Sequence, residues 1–229
     1  MQRMDVIGLC AGLGLTVMTA GPAAAQVSLD DLTYLGTGQQ RAGVAIDWNN
    51  AGTPTTYTFG YRYDGSAPTV EQMLRDVAGT GPDDAEVYLR VGTSGLFGVP
   101  LYGLGLDVDQ DGFALSDGTT FVDGVAETGS SDGALASDFD DQYIEGWNTG
   151  FWSLYTGHSS DGWTAAATGI SGVSLTDEAW VGLSFAPAFV QSEPSVAIPE
   201  PATVAGMAPL GLALLRRRRR TDTRAKARG

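Results

Sequence analysis

The sequence predicts an α+β domain that is mainly β. Three observations predict it: five segments alternate apolar and polar residues, a single segment has helical period, and the 32 glycines follow no Gly-x-y repeat. At 229 residues with 43% apolar and 9% aromatic content, the chain is long enough for one main domain with a real core and is too apolar for disorder.

Val44, Ile46 and Trp48 alternate with Ala45 and Asp47, and Tyr57, Phe59, Tyr61 and Tyr63 alternate with Thr58, Gly60 and Arg62, so both segments read as half-buried strands. Asn49 to Pro54 between them has hairpin-loop chemistry. A short helix follows. Thr69 and Gln72 form a capping box, Val70, Met73, Leu74 and Val77 recur at helical spacing, and Gly79 stands at the stop. Val87, Leu89 and Val91 mark a third strand, and Phe151–Tyr155 and Ala179–Phe185 two more. Two strands, a helix crossing the sheet and returning strands make a β-grasp-like layout with one covering helix, interrupted by a long acidic, Gly-rich insertion from Asp107 to Glu145.

The formal charge of −14 is unevenly spread. Between Gln26 and Ile198 four arginines face 24 acids, a charge of −20, while eight basic residues crowd the last fourteen positions. A body of this sign repels phosphate, so nucleic acid is not an expected partner, but it can collect divalent cations. The only cysteine, Cys10, lies in the leader, which excludes disulfides and thiolate metal sites from the folded part.

Both ends read as addresses. Arg3, the apolar run Val6–Met18 and Ala23-Ala24-Ala25 form a secretory signal peptide over residues 1–25. At the other end Pro199-Glu200-Pro201 precedes 14 uncharged residues, Ala202–Leu215, and five arginines including Arg216, Arg217 and Arg218. As a helix the apolar stretch is about 21 Å long, a short transmembrane segment against a hydrocarbon core of about 30 Å. The arginines directly after it place the tail in the cytoplasm and the body outside. The expected organisation is therefore a leader (1–25), a secreted β-rich domain (26–190), a linker with the Pro-Glu-Pro motif (191–201), a sorting helix (202–215) and a basic cytoplasmic tail (216–229).

That C-terminal order resembles the PEP-CTERM sorting signal of Gram-negative bacteria over residues 198–220. The resemblance implies export through signal peptidase, recognition by a membrane-embedded exosortase, cleavage near Pro199-Glu200-Pro201, and delivery to the cell surface or an extracellular, biofilm-type matrix. In the body, Thr69–Leu74, Gly95–Gly103, Phe151–Tyr155, Gly169-Ile170-Ser171, Leu175-Thr176-Asp177 and Trp180–Phe185 resemble, in order and spacing, bacterial relatives of the transcobalamin C-terminal β-grasp domain over about residues 42–186. The 107–145 insertion departs from that pattern and leaves an inherited cobalamin function unsupported.

Candidate chemistry centres on Asp107-Val108-Asp109-Gln110-Asp111-Gly112. Carboxylates at alternate positions before a glycine that permits a tight reversal are how loops present oxygens to Ca²⁺. An EF-hand loop would carry Glu at its twelfth position, which here is Gly118, so Asp117 or Asp123 would complete the set. The expected metal residues are Asp107, Asp109, Asp111 and Asp117, and the alternative is a solvated acidic turn. Eleven acids without one basic residue between Asp107 and Glu145 favour neutralisation by a cation. Asp138, Asp140, Asp141 and Glu145 offer a second carboxylate cluster or a glycosidase acid and base, whose separation across a cleft linear spacing does not fix, and they read as a hydrated loop. His158, the only histidine, has no nucleophile-elbow motif beside it and reads as a surface turn, so no enzyme is expected.

Trp147, Trp152 and Trp163 are either core or, if exposed, a platform for a small molecule or glycan. The expected function is a non-catalytic surface or matrix protein, structural and Ca²⁺-stabilised. The alternative is a β-grasp ligand module, with extracellular polysaccharide as a partner in either case.

Overall fold

The computed structural model describes residues 27–50, 53–81, 85–129, 132–158, 162–196 and 198. The leader, the Pro199-Glu200-Pro201 motif, the expected sorting helix and the basic tail with Arg216, Arg217 and Arg218 lie outside the described residues. Among the described residues no helix is long and apolar enough to cross a membrane.

The described residues are mainly β with one α-helix, and their strands form two sheets. The longer sheet contains β1 (Tyr34–Gly36), β2 (Gln40–Asn50), β3 (Thr53–Tyr63), β8 (Gly150–His158), β9 (Gly162–Ala165) and β10 (Ala179–Pro187) in the order β1-β3-β2-β10-β8-β9. β2 and β3 form the expected antiparallel pair, and β10 returns parallel to β2 in the centre. The second sheet contains β4 (Glu86–Gly92), β5 (Leu101–Asp107), β6 (Val125–Thr128) and β7 (Gln142–Glu145) in the order β6-β4-β5-β7.

This division departs from the single sheet under one covering helix. The helix α1 (Val70–Val77) forms with its capping box intact, Thr69 Oγ1 accepting from the Gln72 amide and Gln72 Oε1 from the Thr69 amide. Eight residues, however, make a rod of about 12 Å, whereas the 11-residue strands β2 and β3 run about 36 Å. The helix cannot cover them, and the second sheet, seeded by β4, packs beside it. Val70, Met73, Leu74 and Val77 share one core with Val44, Ile46 and Trp48 of the first sheet and Val87, Leu89 and Leu104 of the second. Indole N–H groups join the layers: Trp48 Nε1 donates to the Leu104 carbonyl at 2.9 Å and Trp152 Nε1 to the Ile144 carbonyl at 3.1 Å. Both donors are thereby satisfied where an unpaired one would be costly.

The outer face of the long sheet is also covered. Val196 and Ile198 pack with Ala45, Trp163 and Trp180 and with Val27, Leu29 and Leu32 from the start of the domain. Asp47, Ser184 and Ser153 form a cross-strand row on this face. The Ser195 amide donates to Asp47 Oδ2 at 2.9 Å, Asn49 Nδ2 to Ser192 Oγ at 3.2 Å and Trp163 Nε1 to the Val196 carbonyl at 3.0 Å. Residues 191–196 and Ile198, read from sequence as part of a linker, thus lie as a strap across the sheet directly before Pro199.

The acidic insertion has its own core. Leu115, Ala134 and Tyr143 are buried together, with Phe113, Phe121 and Ala136 packed against them. Phe113 stacks on Tyr88 at 4.4 Å and lies over Gly105, where any Cβ would overlap its ring.

Candidate metal centre

The D-x-D-x-D-G segment begins where β5 ends. Asp107 is its last residue, buried at 1% exposure, and both its carboxylate oxygens accept loop amides: Oδ1 from Gln110 at 2.7 Å and Oδ2 from Gly112 at 3.2 Å. The loop wraps around this side chain through positive φ at Gln110 (60°) and Gly112 (119°).

The β5–β7 ladder supplies a partner 34 residues away. Leu106 pairs with Gln142, and one further step of that antiparallel register sets Asp107 opposite Asp141. Like charges opposite one another at the end of a ladder repel. Asp141 is 6% exposed, and no well-formed hydrogen bond reaches either of its carboxylate oxygens, the Val108 amide alone lying close enough to favour the charged form. Burial first, and Asp107 second, push its pKa up from 3.8 to about 6.

One carboxylate oxygen from each of Asp107, Asp109 and Asp141 lies within 4.8 Å of the other two. Ca²⁺–oxygen bonds of about 2.3–2.6 Å let a single ion reach all three. An all-oxygen donor set, one member at the end of β5, one directly before β7 and one on a surface loop, suits a hard cation of flexible coordination. A buried carboxylate without a well-formed hydrogen bond to either oxygen is the fit test, since such a group is costly alone and is what a cation would neutralise.

Of the expected ligands, Asp107 and Asp109 come together, and Asp111 remains exposed on the rim, where Asp109 foremost, then desolvation, Asp138, Asp107 and Asp140, raise its pKa. Asp117 does not join them. Its Oδ2 accepts from Arg90 Nη1 at 2.7 Å, while Thr119, foremost, and Arg90 hold its pKa below the usual carboxylate value. Asp141 was missed because nothing in linear spacing connects it to Asp107. The signal that could have found it is the short alternation of Tyr143 and Glu145 with Gln142 and Ile144, which marks a strand able to pair with β5.

The second acidic group is only partly hydrated: Asp140 is exposed and Asp138 half-buried, but Asp141 and Glu145 are buried. Glu145 Oε2 accepts from Arg90 Nη1 at 2.9 Å and from the Tyr143 hydroxyl at 2.5 Å, and Oε1 from the Ala134 amide at 2.7 Å. Burial, then Glu145, raise the Tyr143 pKa far above its ordinary value. The Arg90, Tyr143 and Glu145 side chains act as a brace between β4 and β7. His158 is exposed at the end of β8.

The three tryptophans divide. Trp147 and Trp152 line one cleft of about 360 Å³, whereas Trp163 is half-buried under the strap. Trp152 points into the core and Phe151 to the opposite face, where it stacks on Phe189 at 6.2 Å. No family model matches the chain, and no curated protein matches it.

Proposed function

We propose that the chain is an exported, non-catalytic structural protein of the cell surface or extracellular matrix, whose acidic excursion is closed by Ca²⁺ bound to Asp107, Asp109 and Asp141. The observation that carries the metal reading is the buried carboxylate of Asp141, with no well-formed hydrogen bond to either oxygen, opposite a second buried carboxylate. An ion there would tie the end of β5 to the start of β7 and so fix both ends of the 107–141 loop system.

The export reading rests on the two terminal segments: the signal peptide, and the PEP-CTERM-like order of Pro199-Glu200-Pro201, apolar helix and arginines. Signal peptidase, exosortase and the membrane are the partners that follow from it, and a matrix polysaccharide is the expected neighbour outside. The finer fold assignment, a β-grasp elaborated by a second sheet, draws support from the β2–β3 hairpin, the following helix and the central parallel return of β10. A non-catalytic role is supported by Glu145, whose oxygens are occupied by Arg90, Tyr143 and Ala134, and by the lone exposed histidine.

The test is the melting temperature of the full chain in calcium against chelator. A rise with calcium is expected, and an unchanged temperature rejects the site.

A further inference from the structure

The metal centre carries apolar side chains on its rim. Val108, 45% exposed, stands between Asp107 and Asp109, and Phe139, 91% exposed, lies two residues before Asp141. Asp138 Oδ1 accepts from the Asp140 amide at 2.9 Å, which makes a tight turn with Phe139 at its tip. The two loops lie side by side: the Val108 amide approaches the Asp141 carboxylate, and Asp138 and Asp140 are close enough for their charges to act on Asp111.

The ion, the charge and the apolar side chains each narrow what meets this end of the molecule. Ca²⁺ takes about six to eight oxygens, and among the described residues Asp107, Asp109 and Asp141 present one each, so places on the ion stay open on the exposed side of Asp109. One divalent ion does not neutralise the cluster: with Asp111, Asp138 and Asp140 beside the three ligands, and −20 on the body, this end stays negative and repels an anionic surface. A group of both signs fits instead, its anion on the metal and its cation against the spare carboxylates. The exposed phenyl and isopropyl groups call for an apolar layer directly beneath that group.

We propose that this end of the molecule docks on a zwitterionic phospholipid surface once calcium is bound. Lipid phosphate completes the coordination of the ion, lipid ammonium faces Asp111 and Asp140, and Phe139 and Val108 enter the boundary between headgroups and acyl chains. Interfacial apolar groups bury about 5–10 Å deep, a depth that a ring on a turn tip can reach. A polysaccharide would give the ion oxygens but leave Phe139 and Val108 in water, and a second copy of the chain would bring an equal negative charge. The proposal rests on the calcium reading and adds a partner to it.

The test uses the full chain with Cys10→Ser and one added cysteine carrying bimane, mixed with phosphatidylcholine–phosphatidylethanolamine vesicles that contain a doxyl-lipid quencher. The label in Phe139→Cys should be quenched in calcium and recover in chelator. In Leu96→Cys, equally exposed but beyond the opposite end of β5, about 20 Å away, calcium should change nothing. Phosphatidylglycerol vesicles should quench residue 139 less than zwitterionic ones. By reciprocity, zwitterionic vesicles should tighten calcorimetric calcium binding about tenfold, and Phe139→Ser should abolish that gain while binding calcium as wild type does without vesicles. Calcium heat without quenching at residue 139 overturns the docking and leaves the calcium reading standing, whereas no calcium heat at all overturns both. Stronger quenching by phosphatidylglycerol, or calcium-driven dimers in place of vesicle contact, also overturns the proposal.

Discussion

Asp141→Asn separates the cost of a buried charge from the benefit of a bound ion. In the metal-free protein the Asp141 pKa moves from 3.8 to about 6, which is about 3 kcal/mol of preference for the protonated form. The folded state therefore holds this proton more tightly than the unfolded state. The favourable contribution is complete below about pH 4, declines between about pH 4 and 6, and is gone above that. Asparagine keeps the shape without the charge but buries an unpaired amide at a cost of about 1–3 kcal/mol. In chelator at pH 7.5 the variant should therefore be as stable as wild type or up to about 2 kcal/mol more stable. In calcium the order reverses. At a hundredfold excess over Kd, calcium stabilises wild type by about 2.7 kcal/mol, or about 5–11 °C for a domain of this size, while the variant gains little. Differential scanning fluorimetry in chelator and in 10 mM calcium, with urea denaturation at pH 5 and 7.5, reads all four states. A variant less stable than wild type in chelator and equally responsive to calcium would refute the reasoning.

Calcium stabilisation should persist in Asp117→Asn, whose carboxylate belongs to Arg90, and fall in Asp109→Asn; melting temperatures with and without calcium separate the two. Arg90→Met leaves Glu145 buried without its cation and should cost about 3–5 kcal/mol in urea denaturation, with partial recovery when Glu145→Gln is added. Ile198→Ala should cost about 2 kcal/mol, because the strap side chain is buried on the sheet; the urea midpoint checks it. Gly105→Ala should lower stability by about 1–3 kcal/mol through overlap with Phe113, read by the same midpoint.

Elements governed by local chemistry were legible. The Thr69–Gln72 box and the four apolar positions after it define α1, and alternation finds β2, β3, β4, β8 and β10. The division into two sheets was not legible, since alternation says that a strand has a buried face and not which layer buries it. β5 escaped notice because Leu101, Leu104 and Leu106 share it with two glycines, and all seven of its residues are buried. The core of the excursion was hidden for a related reason: Phe113, Leu115, Phe121 and Tyr143 follow no period and meet only through turns. The metal site divides the same way. Asp107 and Asp109 come from a loop motif visible in sequence, but Asp141 arrives by strand register. Asp117, a plausible ligand by spacing, is drawn to Arg90, a cation from β4 that counting within the loop leaves out.

Calorimetric titration of calcium into the chelator-stripped full chain tests the central claim most directly. One equivalent should bind wild type and be lost in Asp141→Asn. Absence of heat with wild type, or equal binding by the two proteins, would contradict the account.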